Sequence, residues 1–381
     1  MPSRVSALIL VALALFTGCL HRRPAAVHRS VPIGIYSPGS TSNLPILRQA
    51  GFSHVRGSAN REFLDAAQSA GLGVLANPGT SAGVGFNPAA VRTSVRLWDR
   101  HPALWAWYLS DEPDLNEVSP AEVSLVRRTL LAAGSRRPSA LVVYRGPSLA
   151  THHDADILMV DRYPVGWQPL AAFFQHMRHG AVAAGVGHRS FIAVIQSFDW
   201  SVYSDIHPFP EPITPRPPTT RELRCMAWGA RVIGADGLFF YCFDDGRWRI
   251  REHPETWEGL CQVVREIRDR EPLFTAPRWG LPPRSENLEP SRRFNEAIEP
   301  SVIWSAVRVS PGAPGIPPGT YWIQVNTTAE FHQLRIRDAG WAGVALHDLD
   351  RDTLRQIDAD GWMEPLSPYE VRLMGPIPDR P

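Results

Sequence analysis

Short apolar segments alternate regularly with amphipathic stretches over residues 31–274, and few folds accommodate this pattern. Alternation of this kind is typical of repeated β-strand and α-helix units, whose strands pair in parallel. Eight units in roughly 240 residues match the usual size of a (β/α)8 TIM barrel, so we predict an α/β fold of this type. The predicted strands are Ile33–Tyr36, His54–Arg56, Gly73–Ala76, Leu104–Leu109, Ala140–Tyr144, Ile157–Val160, Phe191–Gln196 and Leu238–Phe243.

The segments between these strands carry helix signals. Thr219 and Glu222 have the spacing of a capping box, in which each side chain binds the other residue's backbone N–H, so they mark a helix start. The loop Asp199–Pro218 is long and rich in proline, and it follows the seventh strand on the face where barrel enzymes bind substrate. Other predicted helices are Arg61–Ala70, Pro120–Ala133 and Pro169–Ala184.

After residue 274 the sequence changes character. Residues 275–381 begin with a Pro- and Arg-rich linker and continue as short runs of alternating apolar and polar residues. Alternation with period two is typical of antiparallel strands buried on one face, so we predict a small all-β sandwich domain here. Its predicted strands are Val302–Val307, Tyr321–Val325, Gln333–Ile336, Gly343–Ala345 and Glu370–Leu373.

Residues 1–18 have the pattern of an export signal, because Arg4 precedes an apolar run that is too short to span a bilayer. The run ends in Phe16-Thr17-Gly18-Cys19, which resembles the lipobox of bacterial lipoproteins, although that motif usually has Leu where Phe16 stands. The resemblance implies cleavage before Cys19, a diacylglyceryl group on its sulfur and a tether over residues 19–30. It predicts anchoring to the lipid bilayer of the bacterial cell envelope, at the outer membrane or the cell surface. The alternative is an ordinary secretory signal with an incidental cysteine.

The charge balance and the other cysteines argue against several classes of function. With 39 basic and 38 acidic residues, the chain lacks the strongly basic balance that nucleic-acid binding favours. Cys225, Cys242 and Cys261 are odd in number and widely spaced, which favours buried thiols over disulfides or a zinc site. The adjacent side chains of His152-His153-Asp154 rarely share one ion, so we expect neither a metal nor a cofactor.

Two consecutive carboxylates, Asp111 and Glu112, follow the fourth predicted strand and precede Pro113. The carboxyl ends of barrel strands face the side where substrates bind, so we expect both side chains there. Burial beside aromatic rings raises the pKa of a carboxyl group and enables it to donate a proton to a leaving glycosidic oxygen. The competing interpretation is that these residues cap the following helix.

The stretch Trp107–Pro113 resembles the fourth-strand motif of clan A glycoside hydrolases, in which Asn-Glu-Pro supplies the acid/base glutamate. Glu112 matches this glutamate, and Asp111 stands where the family has the asparagine that binds the sugar 2-hydroxyl. The Asp-Glu-Pro variant is also similar to hydrolase-like barrels of bacterial lipoproteins. The resemblance covers most of residues 31–270 and implies a glycoside hydrolase-like barrel. Further similar stretches are Val160–Pro164, Gln196–Phe198, Gly234–Tyr241 and, as the last strands of the β-sandwich, Trp362–Val371.

The chain departs from clan A at the end of the seventh strand, where those enzymes carry a nucleophilic glutamate. Gln196 stands at the best matching position, and an amide cannot act as a carboxylate nucleophile. The second catalytic carboxylate must therefore lie elsewhere, and Asp161, at the end of the sixth strand, is the first candidate. A gap of about 6.5–9.5 Å between Asp161 and Glu112 would suit an inverting mechanism with a bound water.

Other carboxylates are alternatives to Asp161. They are Asp199 and the adjacent Asp244 and Asp245. Each of these candidates can instead cap a loop or pair with a nearby arginine, such as Arg162 or Arg247.

The other predicted site residues are polar or aromatic side chains at strand ends, suited to hydrogen bonding with sugars or stacking on them. The resulting hypothesis is a lipoprotein that hydrolyses O-glycosidic bonds of an extracytoplasmic poly- or oligosaccharide, with Glu112 as general acid/base. The alternatives are a non-catalytic carbohydrate-binding lipoprotein, which has lost the clan A nucleophile, and a structural envelope protein. The predicted substrate contacts are Asp111, Tyr163, Gln196, Trp200, Tyr241 and Arg56; Tyr36, Trp107, Tyr144 and Arg145 are further candidates.

Replacing Cys19 with serine is expected to prevent lipid attachment, because the acyl-bearing thioether forms on the cysteine sulfur. Mass spectrometry of the N-terminal peptide should find a diacylglyceryl-cysteine in the wild-type protein and none in the variant. An unmodified Cys19 in the mature wild-type protein would contradict the lipoprotein prediction.

Overall fold

A computed structural model of the protein describes residues 30–205, 214–281, 283–291, 300–337, 342–358 and 360–377. Within this part of the chain, the barrel and the β-sheets that follow it belong to one compact unit that begins at Val31. The predicted signal segment 1–18, Cys19 and nearly all of the predicted tether lie outside the described residues. Residues 206–213 of the predicted proline-rich loop also lie outside them.

Eight parallel strands form a closed barrel in sequence order, and the last strand pairs with the first. This confirms the predicted TIM barrel. Strands β5 and β6 are buried at every residue because helices cover their outer face and other strands' side chains fill the interior. The strands are β1 Ile33–Ile35, β2 His54–Gly57, β3 Gly73–Ala76, β4 Leu104–Tyr108, β5 Ser139–Val143, β6 Ile157–Asp161, β7 Ser190–Gln196 and β8 Gly237–Tyr241.

The helices surround the barrel and begin at recognisable caps. Asn60 accepts a hydrogen bond from the N–H of Phe63, and Gly71 ends the same helix with a φ of 71°. The capping box of Thr219 and Glu222 is present as predicted. The helices are α1 Leu44–Gln49, α2 Arg61–Ala70, α3 Pro88–Trp98, α4 Pro120–Ala132, α5 Ala171–Gly187, α6 Thr220–Ile233, α7 Pro254–Asp269 and α8 Glu271–Thr275.

An irregularity in β4 determines which aromatic rings fill the barrel. The register with β3 shifts at this point, so Trp105 is an additional residue in the ladder. As a result both Trp105 and Tyr108 point into the barrel, where they contact Phe239 and Tyr36 on strands across the interior. Trp107 points outward instead, and its Nε1 donates to Asp99 at 2.9 Å.

The C-terminal region forms two antiparallel sheets, which confirms the predicted β-sandwich. Their facing side chains make a separate apolar core in which the rings of Trp322 and Trp362 stack with centres 5.9 Å apart. Two short strands, β9 Ser285–Asn287 and β14 Thr353–Gln356, were not predicted. They are largely exposed and do not alternate between apolar and polar residues. The five-stranded sheet contains β10 Val302–Val309, β11 Gly319–Asn326, β16 Val371–Ile377, β13 Ala345–Asp348 and β14 Thr353–Gln356; the other contains β15 Trp362–Leu366, β12 His332–Ile336 and β9 Ser285–Asn287.

The five-stranded sheet is buried on its other face by the barrel. Val307, Ile323 and Leu373 belong to the same apolar core as the barrel strands and helices. Cys225 on α6 donates from its Sγ to the carbonyl of Asn326 on β11. The barrel and the sandwich therefore share one continuous core.

The three cysteines of the barrel are buried and unpaired, as predicted; they are Cys225, Cys242 and Cys261. Among the helices that the structure describes, none has the length and apolar character needed to cross a membrane.

An ion-pair cluster joins the barrel helices to the sandwich beside a cavity of about 730 Å³. Arg224 on α6 and Arg270, directly after α7, each lie 2.5 Å from the carboxylate of Asp350, which follows β13. Both arginines also bind Glu266 on α7. The four side chains are all partly buried, so their attraction is less screened by solvent than that of surface pairs.

Asp350→Ala is expected to destabilise the protein by about 1–2 kcal/mol, because two arginines lose a shared carboxylate. Thermal unfolding of the full chain measures this effect as a lower Tm. Glu258→Ala is the control, because Glu258 is an exposed residue on α7 outside the cluster. Equal Tm changes in the two variants would show that the cluster does not stabilise the interface.

Candidate active site

The candidate site lies at the mouth of the barrel, defined here as the rim formed by the carboxyl ends of its strands. Strand β4 ends at Tyr108 and leads through buried Leu109 and Ser110 to the acidic pair. Glu112 has a φ of 41°, in the left-handed region that residues other than glycine rarely adopt. Such backbone strain is concentrated at functional sites, where the surrounding structure maintains it.

Hydrogen bonds within the loop maintain this conformation. The backbone N–H groups of Leu115 and Asn116 both donate to the carbonyl of Glu112, at 3.0 Å each. The side chain of Asn116 donates to the carbonyl of Asp111 at 3.0 Å. Ser119 caps α4, so the interpretation of the acidic pair as a helix cap is wrong.

Glu112 and Asp161 form a carboxyl pair, because their side chains lie close enough to affect each other's pKa. Asp161 ends β6, is only 5% exposed and accepts a hydrogen bond from the hydroxyl of Tyr163 at 3.2 Å. The Oδ1 atom of Asp161 is buried and receives no bond from any N–H or hydroxyl group of the described residues. Two carboxylate charges repel each other in such a site, which favours a pair that retains one proton.

The electrostatic surroundings favour retention of this proton. Burial raises the pKa of Glu112, the interaction with Asp161 opposes this rise, and the neighbouring Asp111 and Asp114 add to it. Burial also raises the pKa of Asp161 well above its usual range, and the adjacent Glu112 adds to this effect. Two negative charges in contact are unfavourable in a partly desolvated site, so the pair resists losing its shared proton.

The predicted role of the pair implies a defined separation of its carboxyl groups. Inverting glycosidases separate them by about 6.5–9.5 Å and retaining enzymes by about 5–5.5 Å. The mutual pKa effects of Glu112 and Asp161 indicate a short-range interaction, closer than the wide gap considered for an inverting pair.

A chain of tyrosine hydroxyls extends from the pair along one side of the mouth. Tyr108 donates to the Oδ1 of Asp111 at 2.7 Å, and its hydroxyl lies 3.3 Å from that of Tyr36. Burial raises the pKa of both tyrosines, which therefore stay neutral hydrogen-bonding groups. The guanidinium of Arg56 lies 5.4 Å from the centre of the Tyr108 ring. Asp111 and Arg56 thus both reach the mouth, where the sequence predicted them.

Aromatic rings form the opposite side. Tyr163 and Tyr241 lie with ring centres 5.7 Å apart, and the partly exposed Tyr241 donates to Asp245 at 3.1 Å. Trp200 was predicted to stack on substrate, but only 7% of it is exposed. Its Nε1 donates to the carbonyl of Tyr163, and its ring packs against Phe198. Trp200 therefore supports the wall of the site and offers little surface for stacking.

Gln196 was predicted to contact substrate, and the structure contradicts this. The side chain is fully buried. Its Oε1 accepts from the N–H of Val165, and its Nε2 donates to the carbonyls of Val165 and Phe198. These bonds hold the loops after β6 and β7, so no polar atom of Gln196 is directed at a ligand. Trp107 is likewise a buried residue outside the barrel, not a sugar platform.

The other candidates for the second catalytic carboxylate accept hydrogen bonds within their own loops. Asp199 caps a short helical turn by accepting from the N–H of Ser201. Asp244 accepts from the N–H of Gly246, and Asp245 accepts from two backbone N–H groups in addition to its tyrosine contacts. Among the candidates considered, Asp161 is the carboxylate that the fold brings to Glu112.

Two residues near the pair were missed by sequence reasoning as parts of the site. Asp114 accepts from the N–H groups of Tyr144 and Arg145, at 3.0 and 2.8 Å, and so connects the loops after β4 and β5. Tyr108 was missed because the extra residue in β4 reverses which of its side chains point inward. The sequence did contain a signal for Asp114, because this residue directly follows Asp111-Glu112-Pro113.

Two of the three residues in His152-His153-Asp154 have partners within the protein. His152 lies 3.0 Å from the carbonyl of Val118, and Asp154 forms an ion pair with Arg127 at 2.8 Å. In the described part of the chain, no group of three or more His, Cys, Asp or Glu side chains is arranged to hold a metal ion.

Comparison with known proteins finds similarity at the level of structure. No family profile and no curated protein sequence matches the chain. A GH27 β-L-arabinopyranosidase from Geobacillus stearothermophilus has a TM-score of 0.58 at 11% identity, over 91% of this chain and 97% of its own. A family 5 glycoside hydrolase from Bacteroides vulgatus has a TM-score of 0.57 at 9% identity, over 90% and 88%. A protein described as a glycoside hydrolase has a TM-score of 0.56 at 9% identity, over 90% and 92%. The chain therefore shares with these proteins the fold of a closed eight-stranded TIM barrel followed by β-sheets.

The raised pKa values predict how stability depends on pH. Since the folded state binds the pair's proton more tightly than the unfolded chain does, stability falls as pH rises from about 4 through the raised pKa values of the pair. Glu112→Gln removes the repulsion and provides an amide N–H for Asp161 Oδ1. We expect the Tm of this variant to exceed that of the wild type by roughly 1–3 °C at pH 8, with a smaller difference at pH 5.

Thermal unfolding from pH 5 to pH 8 measures this difference. Glu117→Gln is the matched control, because Glu117 is an exposed residue of the same loop. A Glu112→Gln variant that is less stable than the wild type at pH 8 would contradict the shared-proton interpretation.

Proposed function

We propose that this protein is a glycoside hydrolase that cleaves O-glycosidic bonds of an extracytoplasmic poly- or oligosaccharide. The observation that carries this proposal is the carboxyl pair at the mouth of the barrel, formed by Glu112 and the buried Asp161 at the end of β6. The fold adds support, because similar barrels occur in glycoside hydrolases. Tyrosine hydroxyls and a partly exposed aromatic ring beside the pair suit a sugar ligand.

In the proposed reaction, Glu112 is the general acid, because it is the more exposed member of the pair. The glycosidic C–O bond breaks while the leaving oxygen takes the proton from Glu112. A water attacks the anomeric carbon and gives a proton to Asp161, which acts as the base. The proton count of the pair is then restored, since one proton has left through Glu112 and one has entered through Asp161.

Substrate binding must separate the two carboxyl groups before this reaction can occur. Asp161 is held from behind by the hydroxyl of Tyr163, whereas Glu112 lies on a loop after the end of β4. The proposed reaction therefore requires the Glu112 side chain to turn away from Asp161 and take the pair's proton to the leaving oxygen, while the hydrogen-bonded backbone of its loop stays in place.

A non-catalytic carbohydrate-binding protein is the second candidate. The short-range interaction between the two carboxyl groups favours it, because it leaves less space between them than an inverting pair needs for a water. Gln196 cannot replace the missing nucleophile either, because its side chain is an amide that is hydrogen-bonded to the backbone of Val165. In this case the same mouth binds a glycan without cleaving it.

The proposal also includes export and lipid anchoring through Cys19, which would place the site at the surface of the bacterial envelope. The support is the N-terminal sequence pattern alone. An anchored protein of this kind acts on glycans outside the cytoplasm.

Hydrolysis should depend on both members of the carboxyl pair. Soluble protein that begins after Cys19 is screened with aryl glycosides and polysaccharides, beside Glu112→Gln, Asp161→Asn and the control Glu117→Gln. We expect each pair variant to lose activity by about 10²–10⁴-fold, the usual contribution of general acid–base catalysis, and the control to keep it.

The outcomes separate the two candidates. Full activity in Glu112→Gln would overturn the site assignment. Glycan binding without turnover, in the wild type and in the pair variants, would favour the non-catalytic function.

A further inference from the structure

Arg162 follows Asp161 directly at the end of β6, and its guanidinium is sandwiched between aromatic rings. It lies 4.6 Å from the centre of the Tyr144 ring and 5.2 Å from that of Trp167. Burial raises the pKa of Tyr144, Glu112 and Asp161 raise it further, and Arg162 opposes them. Tyr144 therefore lies close both to the carboxyl pair and to this guanidinium.

The Arg162 guanidinium is incompletely bonded. Its Nη2 donates to the Oε1 of Gln168 at 2.7 Å, but its buried Nε has no hydrogen-bond partner. Within the described residues, no carboxylate lies within 4.0 Å of it, so Arg162 is not paired with the adjacent Asp161 as the sequence allowed. A buried N–H group without an acceptor is unfavourable and is rare in proteins.

Two other arginines of the barrel use the corresponding donors. The half-buried Arg137 donates from Nε and Nη2 to the carbonyls of Asp99 and His101, at 2.8 Å each. The buried Arg231 donates from the same two atoms to the carbonyls of Leu273 and Ala276. In the sandwich the buried Nε of Arg372 also lacks a hydrogen bond, but it lies 3.0 Å from the carboxylate of Glu370, whereas the Nε of Arg162 has no such partner among the described residues.

Two further arginines border the mouth without a carboxylate partner among the residues that the structure describes. Arg56 lies over the Tyr108 ring, and Arg145 donates to the backbone carbonyl of Asp114. The acidic side chains nearby already have protein partners. Asp111 accepts from Tyr108, and Asp114 accepts from two backbone N–H groups. Arg56, Arg145 and Arg162 thus carry positive charge at the mouth without a direct ion pair among the described residues, although the carboxylates of Asp111 and Asp114 lie nearby.

We propose that the mouth recognises an acidic saccharide and that Arg162 binds the carboxylate of a uronic acid unit. A guanidinium presents parallel N–H groups that match the two oxygens of a carboxylate, and the stacked rings of Tyr144 and Trp167 hold its plane in position. The inference rests on the proposed function in one respect, because it takes the same mouth as the substrate site.

A substrate carboxylate on Arg162 is also consistent with the role of Glu112 as general acid. A substrate carboxylate on Arg162 lies near the Glu112–Asp161 pair, since Tyr144 borders both. Its negative charge opposes ionisation of the pair and thereby favours the protonated form that donates to the leaving oxygen. A neutral sugar has no such effect.

Binding is tested with oligogalacturonate, oligomannuronate and a glucuronate-containing oligosaccharide, each beside its carboxyl-reduced, neutral form. A sulfated oligosaccharide of neutral sugars is tested separately.

Isothermal titration calorimetry measures affinity for the wild type, Arg162→Gln, Arg162→Lys and the control Arg265→Gln. Arg265 is an exposed residue on α7. We expect the wild type to prefer one uronate over its reduced form by about tenfold to a hundredfold. Arg162→Gln should abolish this preference and the control should retain it.

Arg162→Lys keeps the charge but not the planar fork, so an intermediate preference is expected. If Arg162→Gln has a strongly lowered Tm, the comparison is made with Arg162→Lys instead. Equal wild-type affinity for charged and reduced forms would overturn the proposal, as would a preference that persists in a folded Arg162 variant. Preferential binding of the sulfated arm would overturn the assignment to uronic acids.

Turnover assays on the same ligands separate this inference from the proposed function. Arg162-dependent binding of a uronate that is never hydrolysed supports the inference and overturns the hydrolase proposal. Hydrolysis of neutral and acidic sugars at equal rates overturns the inference and leaves the hydrolase proposal supported.

Discussion

Closure of eight parallel strands into one barrel is the constraint on which the arrangement of the site depends. Closure brings the ends of β4 and β6 to the same rim, although about fifty residues separate Glu112 from Asp161 in the chain. It also turns Tyr36, Tyr108 and Tyr241 toward one another from different strands. The carboxyl pair exists because these strand ends cannot diverge.

The site disfavours a negative charge on both Glu112 and Asp161 at once. Desolvation raises the pKa of both groups, and their mutual repulsion disfavours a second negative charge. The strained backbone of Glu112 and the fixed position of Asp161 are two parts of the same arrangement. One residue is held on an adjustable loop, and the other is held at the end of a buried strand.

Much of the fold could be predicted from local sequence. Apolar alternation located all eight barrel strands, and capping signals located the start of α6. Asp161 could be chosen as the partner of Glu112 because side chains at strand ends share one rim. The roles of Gln196 and Trp200 could not be predicted in this way, because their partners are backbone groups of the loop after β6. The orientation of Trp107 depends on one additional residue in β4, which apolar alternation does not reveal.

The core that the barrel shares with the five-stranded sheet bears on how such a protein can evolve. The change in sequence pattern near residue 275 suggests a removable module, but Val307, Ile323 and Leu373 are buried against the barrel helices. A gene fusion or deletion at this point would expose that apolar surface together with the arginines that now bind Asp350. Recombination would therefore be expected to exchange the barrel and its sheets together, while new specificities arise from loop changes at the mouth.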